Sequence, residues 1–191
     1  MLQIIQQTDE KVLQFIHVTC SNSFFDFIMP WLRNPYTWAP VYLFLLVWMW
    51  QTYGKKGLIW SLFFFLTFVF CDSVSSSIIK PLVHRIRPCN EPQLSFVIRH
   101  LIDCGSGFSF PSSHATNHFG LAAFLIFTLG KMYKWVIPFS IIWAVLVCYA
   151  QLYVAVHYPS DILVGALLGF GIGVLNASYF KHRFGMGFVG S

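Results

Sequence analysis

GLIWSLFFFLTFVFCDSVSSSII, residues 57–79, contains one charged side chain, Asp72. A helix needs about 20 mostly apolar residues to cross roughly 30 Å of hydrocarbon, and this run is long enough. Reading outward, Lys55 and Lys56 separate it from a second apolar run at 34–54, and 111–130, 135–156 and 162–180 supply three more. The chain of 191 residues is 57% hydrophobic and 19% aromatic, with 12 Lys and Arg and 7 Asp and Glu. That is far below the roughly one quarter of charged residues in a soluble domain, and so few charges cannot clothe a water-facing surface. The expected fold class is all-α: a polytopic membrane helix bundle of five to six transmembrane helices with an N-terminal interfacial helix. Residues 1–191 are expected to form a single integral-membrane domain. Within it, 1–33 mixes apolar positions with Asp9, Glu10, Lys11, His17, Asp26 and Arg33, which suits an interfacial helix or a short re-entrant segment. The helical core is placed at 34–180.

Short loops give the expected orientation. Lys55 and Lys56, Lys131 and Lys134, and the cluster Lys181, His182 and Arg183 share one side if five helices alternate, and the positive-inside rule makes that side cytoplasmic. The opposite face is also basic, through Lys80, Arg85, Arg87 and Arg99. Either an anion site lies there or the orientation is reversed. The formal net charge is +5, but the cations form short clusters between apolar runs rather than one stripe, which argues against nucleic acid as a partner. Met1 to Glu10 is too polar to read as a secretory leader, so the first membrane helix is expected to direct insertion. The loop at 81–110 is long for a bundle connection. It holds Cys89 and Cys104, which can pair as a disulfide on an oxidising face. Cys20, Cys71 and Cys148 read as apolar helix fillers, and no zinc-type spacing joins any of the cysteines.

The unusual polar residues gather at three places that this topology brings to one membrane face. Lys80 ends the second span and Arg87 follows it, two cations of different reach suited to phosphate oxygens. A lone Lys80 would read simply as snorkelling. Pro111, Ser112, Ser113 and His114 open the third span, where unpaired N–H groups and the positive end of the helix dipole can hold an oxyanion. His114 can deliver a proton near neutral pH. His157 precedes Asp161 by four residues. A carboxylate there can fix the imidazole tautomer and free the other nitrogen for attack or base catalysis, or Asp161 can merely cap the last span.

His114 and His118 share the same i, i+4 interval, which permits a zinc reading. Pro159 disfavours it by breaking a regular helix through His157 and Asp161, as does repulsion from Lys80 and Arg87. Phosphoryl transfer without metal or cofactor is the expected chemistry. Gly165, Gly169 and Gly173 read as packing, a row of small residues that admits a close helix neighbour. Asp72 within the second span and the stripe of Ser73, Ser76, Ser77 and Lys80 form a polar face that either supports the site or binds neighbouring helices, with packing the favoured reading.

Together these segments resemble the type 2 phosphatidic acid phosphatase family, the membrane relatives of vanadium haloperoxidases. The motif K-x6-R-P is present as Lys80-Pro-Leu-Val-His-Arg-Ile-Arg87-Pro88, and P-S-G-H as Pro111-Ser112-Ser113-His114. S-R-x5-H-x3-D is partly kept, with Ala150-Gln151, then His157, then Asp161. The resemblance covers about residues 80–180. It implies a bundle of about six helices with the site at the membrane boundary and the catalytic motifs within 80–161. By it, His157 is the nucleophile that becomes a phosphohistidine, Asp161 orients it, and His114 protonates the leaving group. Lys80, Arg87, Ser112 and the backbone at Ser113 hold phosphate oxygens, with no metal.

Gln151 replaces an arginine that would bind phosphate. Arg85, Arg99 or His84 are the expected substitutes, or Gln151 donates one neutral hydrogen bond. The implied function is an integral-membrane lipid phosphatase acting on a phosphomonoester or diphosphate at the extracytoplasmic face of the inner membrane. Polyprenyl diphosphate is placed first among substrates, ahead of phosphatidylglycerol phosphate, phosphatidic acid and a lipid A phosphate. The expected partners are the lipid phosphate substrate and the bilayer. A lipid phosphotransferase and a catalytically weakened phosphate-lipid binder are the alternatives, the second motivated by Gln151.

Overall fold

The computed structural model describes residues 2–184, and every regular element within them is helical. The N-terminal segment, expected as an interfacial helix followed by a re-entrant or short further segment, is two helices, α1 (Leu2–Thr19) and α2 (Ser23–Arg33). Asn22 separates them by capping α2, its side chain accepting the Phe25 N–H.

α3 (Pro35–Asp72) is a helical hairpin rather than one rod. It reverses at Gly54, whose φ of 57° and ψ of −131° suit a residue without Cβ. The limbs 35–53 and 55–72 then lie antiparallel, bringing the rings of Tyr42 and Phe64 to 6.3 Å. The return is tight: a Cβ at Gly57 would lie 1.9 Å from the Met49 carbonyl oxygen. The second limb widens into a π-helical stretch (Ser73–Ile79) and ends in the short α4 (Lys80–Val83), closed by His84 in the left-handed region. A loop to Ser112 follows, stapled by a Cys89–Cys104 disulfide with the two Cα atoms 5.9 Å apart.

α5 (Ser113–Leu129) is the central helix, packed by α3, α6 (Val136–Tyr153) and α7 (Pro159–Phe184). α7 begins three residues earlier than expected because Pro159 opens it, where a missing N–H costs nothing. The glycine row sets the α5–α7 distance. A Cβ at Gly169 would lie 2.0 Å from the Thr116 carbonyl oxygen, and one at Gly173 would lie 2.2 Å from that of Gly120.

Polarity runs opposite to that of a soluble protein. Leu43, Phe44, Leu62, Ile142, Leu167 and Leu175 are exposed, while Thr116, Asn117, His118, Ser140 and Gln151 are buried. Hydrocarbon is the solvent that such a surface fits. Three helical stretches among the described residues are long and apolar enough to cross a membrane: Pro35–Leu94, which contains the hairpin, Val136–Tyr153 and Pro159–Phe184. At one end of the bundle the hydroxyls of Tyr53 and Tyr133 are 2.8 Å apart and Lys181 stands over the Phe127 ring. The turns carrying Lys55 and Lys131 therefore share that end, and the long loop lies at the other.

Candidate active site

Backbone bonds fasten the three polar segments together. The Ser112 N–H donates to the Asp161 carbonyl at 3.0 Å, and a Cβ at Gly165 would lie 2.6 Å from the Ser112 carbonyl, so the starts of α5 and α7 are locked side by side. The Cys89 N–H donates to Ala155 at 3.0 Å, tying the long loop to the turn after α6. Lys80 Nζ donates to the Phe108 carbonyl at 2.9 Å and Arg87 Nη1 to that of Cys104, so the loop backbone holds both cations.

His157 sits in that turn, 3% exposed, with Nδ1 3.7 Å from Asp161 Oδ2. This is ion-pair range but beyond a hydrogen bond, and Nδ1 has no other partner among the described residues. A carboxylate only accepts, so the arrangement favours the proton on Nδ1 and leaves the lone pair on Nε2. Burial pushes the His157 pKa down to about 4, against the pull of Asp161, and Lys80 and Arg87 lower it further. The ring is neutral at ordinary pH.

Asp161 is fully buried. Its Oδ2 accepts the Tyr158 N–H at 2.8 Å and its Oδ1 accepts Arg85 Nη1 at 2.6 Å. Arg85 also reaches Ser160 Oγ, Gln6 Oε1 and Asp9 Oδ2, at 2.7, 2.6 and 2.7 Å. Its guanidinium carbon lies 3.9 Å from the centre of the Tyr158 ring. α1 is thereby tied to the carboxylate beside His157.

His114 Nε2 lies 3.2 Å from the Arg33 carbonyl, a contact that requires the proton on Nε2. His118 turns its Nδ1 to the His114 carbonyl at 2.8 Å and packs edge-on against Trp143, a bundle role rather than the facing pair of the zinc reading. Among the described residues no three His, Cys, Asp or Glu side chains come together as a metal site. Ser113 Oγ lies 2.8 Å from Ser76 Oγ, and Asn117 Nδ2 donates to Asp72 Oδ1 at 3.1 Å. The polar stripe thus joins α3 to α5.

Three expected substitutes for the absent arginine are engaged elsewhere. Arg85 is held by two carboxylates, Arg99 pairs with Asp26, and His84 packs edge-on to Phe108 with ring centres 4.5 Å apart. Gln151 is wholly buried, with neither amide atom bonded among the described residues. The sequence reading did not single out Asp9 and Arg33, because each reaches the site only through the packing of the N-terminal helices.

His114 lines two cavities. One, of about 630 Å³, is lined by Arg33, Asn34, Thr37 and Ile102. The other, of about 510 Å³, runs among Leu46, Phe64, Phe65 and Phe68 and carries Asp72, Ser113 and Asn117 near the histidine. Such a boundary suits a molecule with an anionic head and an apolar tail.

The PAP2 superfamily model matches residues 57–184. A lipid A 4'-phosphatase of Bacteroides thetaiotaomicron is 33% identical over 186 residues, covering 96% of this chain and 81% of the relative. An undecaprenyl-diphosphatase of Sulfolobus acidocaldarius is 28% identical over 166 residues, covering 87% and 74% respectively. The crystal structure of a transmembrane PAP2-type phosphatidylglycerolphosphate phosphatase from Bacillus subtilis shares the fold, with a TM-score of 0.68 over 94% of this chain and 88% of that one at 24% identity.

Proposed function

The chain belongs to the PAP2 superfamily, and from that premise we propose that it hydrolyses the phosphate group of a membrane lipid through a covalent phosphohistidine on His157. The observation that carries this reading is the convergence at the locked starts of α5 and α7: the His157–Asp161 pair stands close enough to Lys80 and Arg87 to feel their charges, and His114 lines two cavities at the same end. Nε2 of His157 attacks phosphorus and the bond to the leaving oxygen breaks; His114, doubly protonated once the anionic phosphate is beside it, gives that oxygen a proton and is left neutral. Water then loses a proton to His114 and attacks the phosphohistidine, releasing phosphate and returning the lone pair to Nε2.

Asp161 stabilises the positive charge the ring gains on phosphorylation. Lys80, Arg87 and the helix-terminal N–H groups of Ser113 and His114 hold the phosphate oxygens. Ser112 Oγ accepts the Ala115 N–H, which leaves its own hydrogen free to donate to phosphate. Gln151, buried and neutral, supplies at most a neutral hydrogen bond. The chemistry uses neither metal nor cofactor.

A lipid A phosphate moves to the front of the substrate list, ahead of the polyprenyl diphosphate that the sequence favoured. The support is a similar lipid A phosphatase matching along nearly the whole chain. We place 1–191 as one domain crossing the inner membrane five times, with α3 crossing twice, α1 and α2 at the surface, and the site facing the periplasm.

The test is phosphate release by the purified chain from lipid A, polyprenyl diphosphate, phosphatidylglycerol phosphate and phosphatidic acid in excess EDTA. Turnover should survive EDTA and fall at least about a thousandfold in His157→Ala. Loss of turnover with EDTA would overturn the metal-free mechanism, and activity retained in the variant would overturn the nucleophile.

A further inference from the structure

We propose that Arg33, at the C-terminal end of α2, supplies the phosphate-binding guanidinium that the third motif lacks at Gln151. The proposal rests on the lipid-phosphate reading above and names a residue that reading does not use. Gln151 is buried and neutral, so α6 brings no cation to the site, and the loop arginines 85 and 99 are bound to carboxylates.

Arg33 is different. It makes no side-chain hydrogen bond or ion pair among the described residues, and its Nε is buried without a partner. Its place beside the chemistry is fixed, because its own carbonyl accepts from His114 at 3.2 Å and both residues line the same cavity. The corner that presents it is well tied. The Asn34 N–H donates to Trp31 O at 3.0 Å, Asn34 Oδ1 accepts the Tyr36 N–H at 3.0 Å, and Trp38 Nε1 donates to Leu32 O at 2.8 Å.

A second cation, Arg87, is near enough for its charge to act on Arg33. Among the described residues Arg87 has Nε buried and unpartnered, and its only acceptor is the neutral Cys104 carbonyl. Arg33 is destabilised as a cation by burial first and by the charge of Arg87 second. Two half-buried guanidiniums, neither paired with a carboxylate among the described residues, are unfavourable until an oxyanion arrives, and phosphate matches their forked donors.

The experiment uses the full chain in detergent with inorganic phosphate as probe, its affinity read by calorimetry and by the rise in melting midpoint. Variants are Arg33→Gln, Arg33→Lys and the distant Lys55→Gln. Arg33→Gln should weaken phosphate binding about 10- to 100-fold, Arg33→Lys should recover part of it, and Lys55→Gln should match the parent. The unliganded midpoints should agree within about 2 °C. Phosphate affinity unchanged in Arg33→Gln would overturn the proposal. So would a parent that binds no phosphate, or a loss that Arg33→Lys shares in full together with a lowered unliganded midpoint. The two readings fail separately: a parent that turns over no lipid yet binds phosphate through Arg33 sinks only the hydrolase, whereas a parent that turns over lipid with kcat/KM untouched in Arg33→Gln sinks only this assignment.

Discussion

The Asp161 carboxylate depends on a guanidinium 76 residues earlier in the chain, and Arg85 in turn depends on Asp9. Arg85 touches no substrate in this reading. It positions the group that positions His157. Arg85→Gln should lower kcat by about 10- to 100-fold with KM nearly unchanged, and Arg85→Lys should keep part of the loss from appearing, since it retains the charge without the fork. A rise in KM alone would instead make Arg85 a phosphate ligand.

His157 carries a stability consequence too. Unfolded, it takes a proton near pH 6.5, and folded only near pH 4. Its contribution to stability is whole above about pH 6.5 and shrinks as pH falls toward 4. Melting midpoints in detergent should drop across that window, and His157→Asn should flatten the slope.

At this scale, the residues proposed for the chemistry, His114, His157, Asp161, Lys80 and Arg87, were legible as candidates because reactive side chains recur at fixed spacing around helix ends. Arg85 was visible as a charge but not as a partner. Asp9 and Arg33 carried no signal, since nothing local says where α1 and α2 will dock.

Helices were legible as apolar runs, yet their ends and bends were decided by single residues. Pro159 opens α7 early, Gly54 folds α3 on itself, and the π-helical stretch at Ser73–Ile79 has no marker beyond a run of serines. The glycine row was legible as a packing face, and its partner became visible only with α5 in place.

The row offers a controlled test. Gly169→Ala puts a Cβ 2.0 Å from backbone, while Gly171→Ala meets nothing within 4 Å. The first should cost roughly 1–3 kcal/mol and reduce activity, because the Ser112–Asp161 bond spans the same pair of helices, and the second should be neutral. Equal melting midpoints for the two would refute this account of the α5–α7 contact. Replacing Cys89 and Cys104 together by serine should cost about 3 kcal/mol for a loop of 15 residues, measured as the difference from the parent without reductant.

For the molecule as a whole, the basic turns gather at the end away from the site, with Lys55 and Lys131 both exposed there. An impermeant amine reagent should label these two lysines only after sealed cells are opened, and labelling beforehand would invert the orientation we propose. The groove beside His114 matters at this scale as well. Its walls include Leu46, Phe65 and Phe68, whose outer surfaces are exposed where the bundle meets lipid. On the proposed function, a lipid substrate that enters by this side never passes through bulk water, so the search covers a plane and not a volume. The rate should follow the mole fraction of substrate in the micelle or bilayer, halving when neutral detergent is doubled at constant bulk substrate.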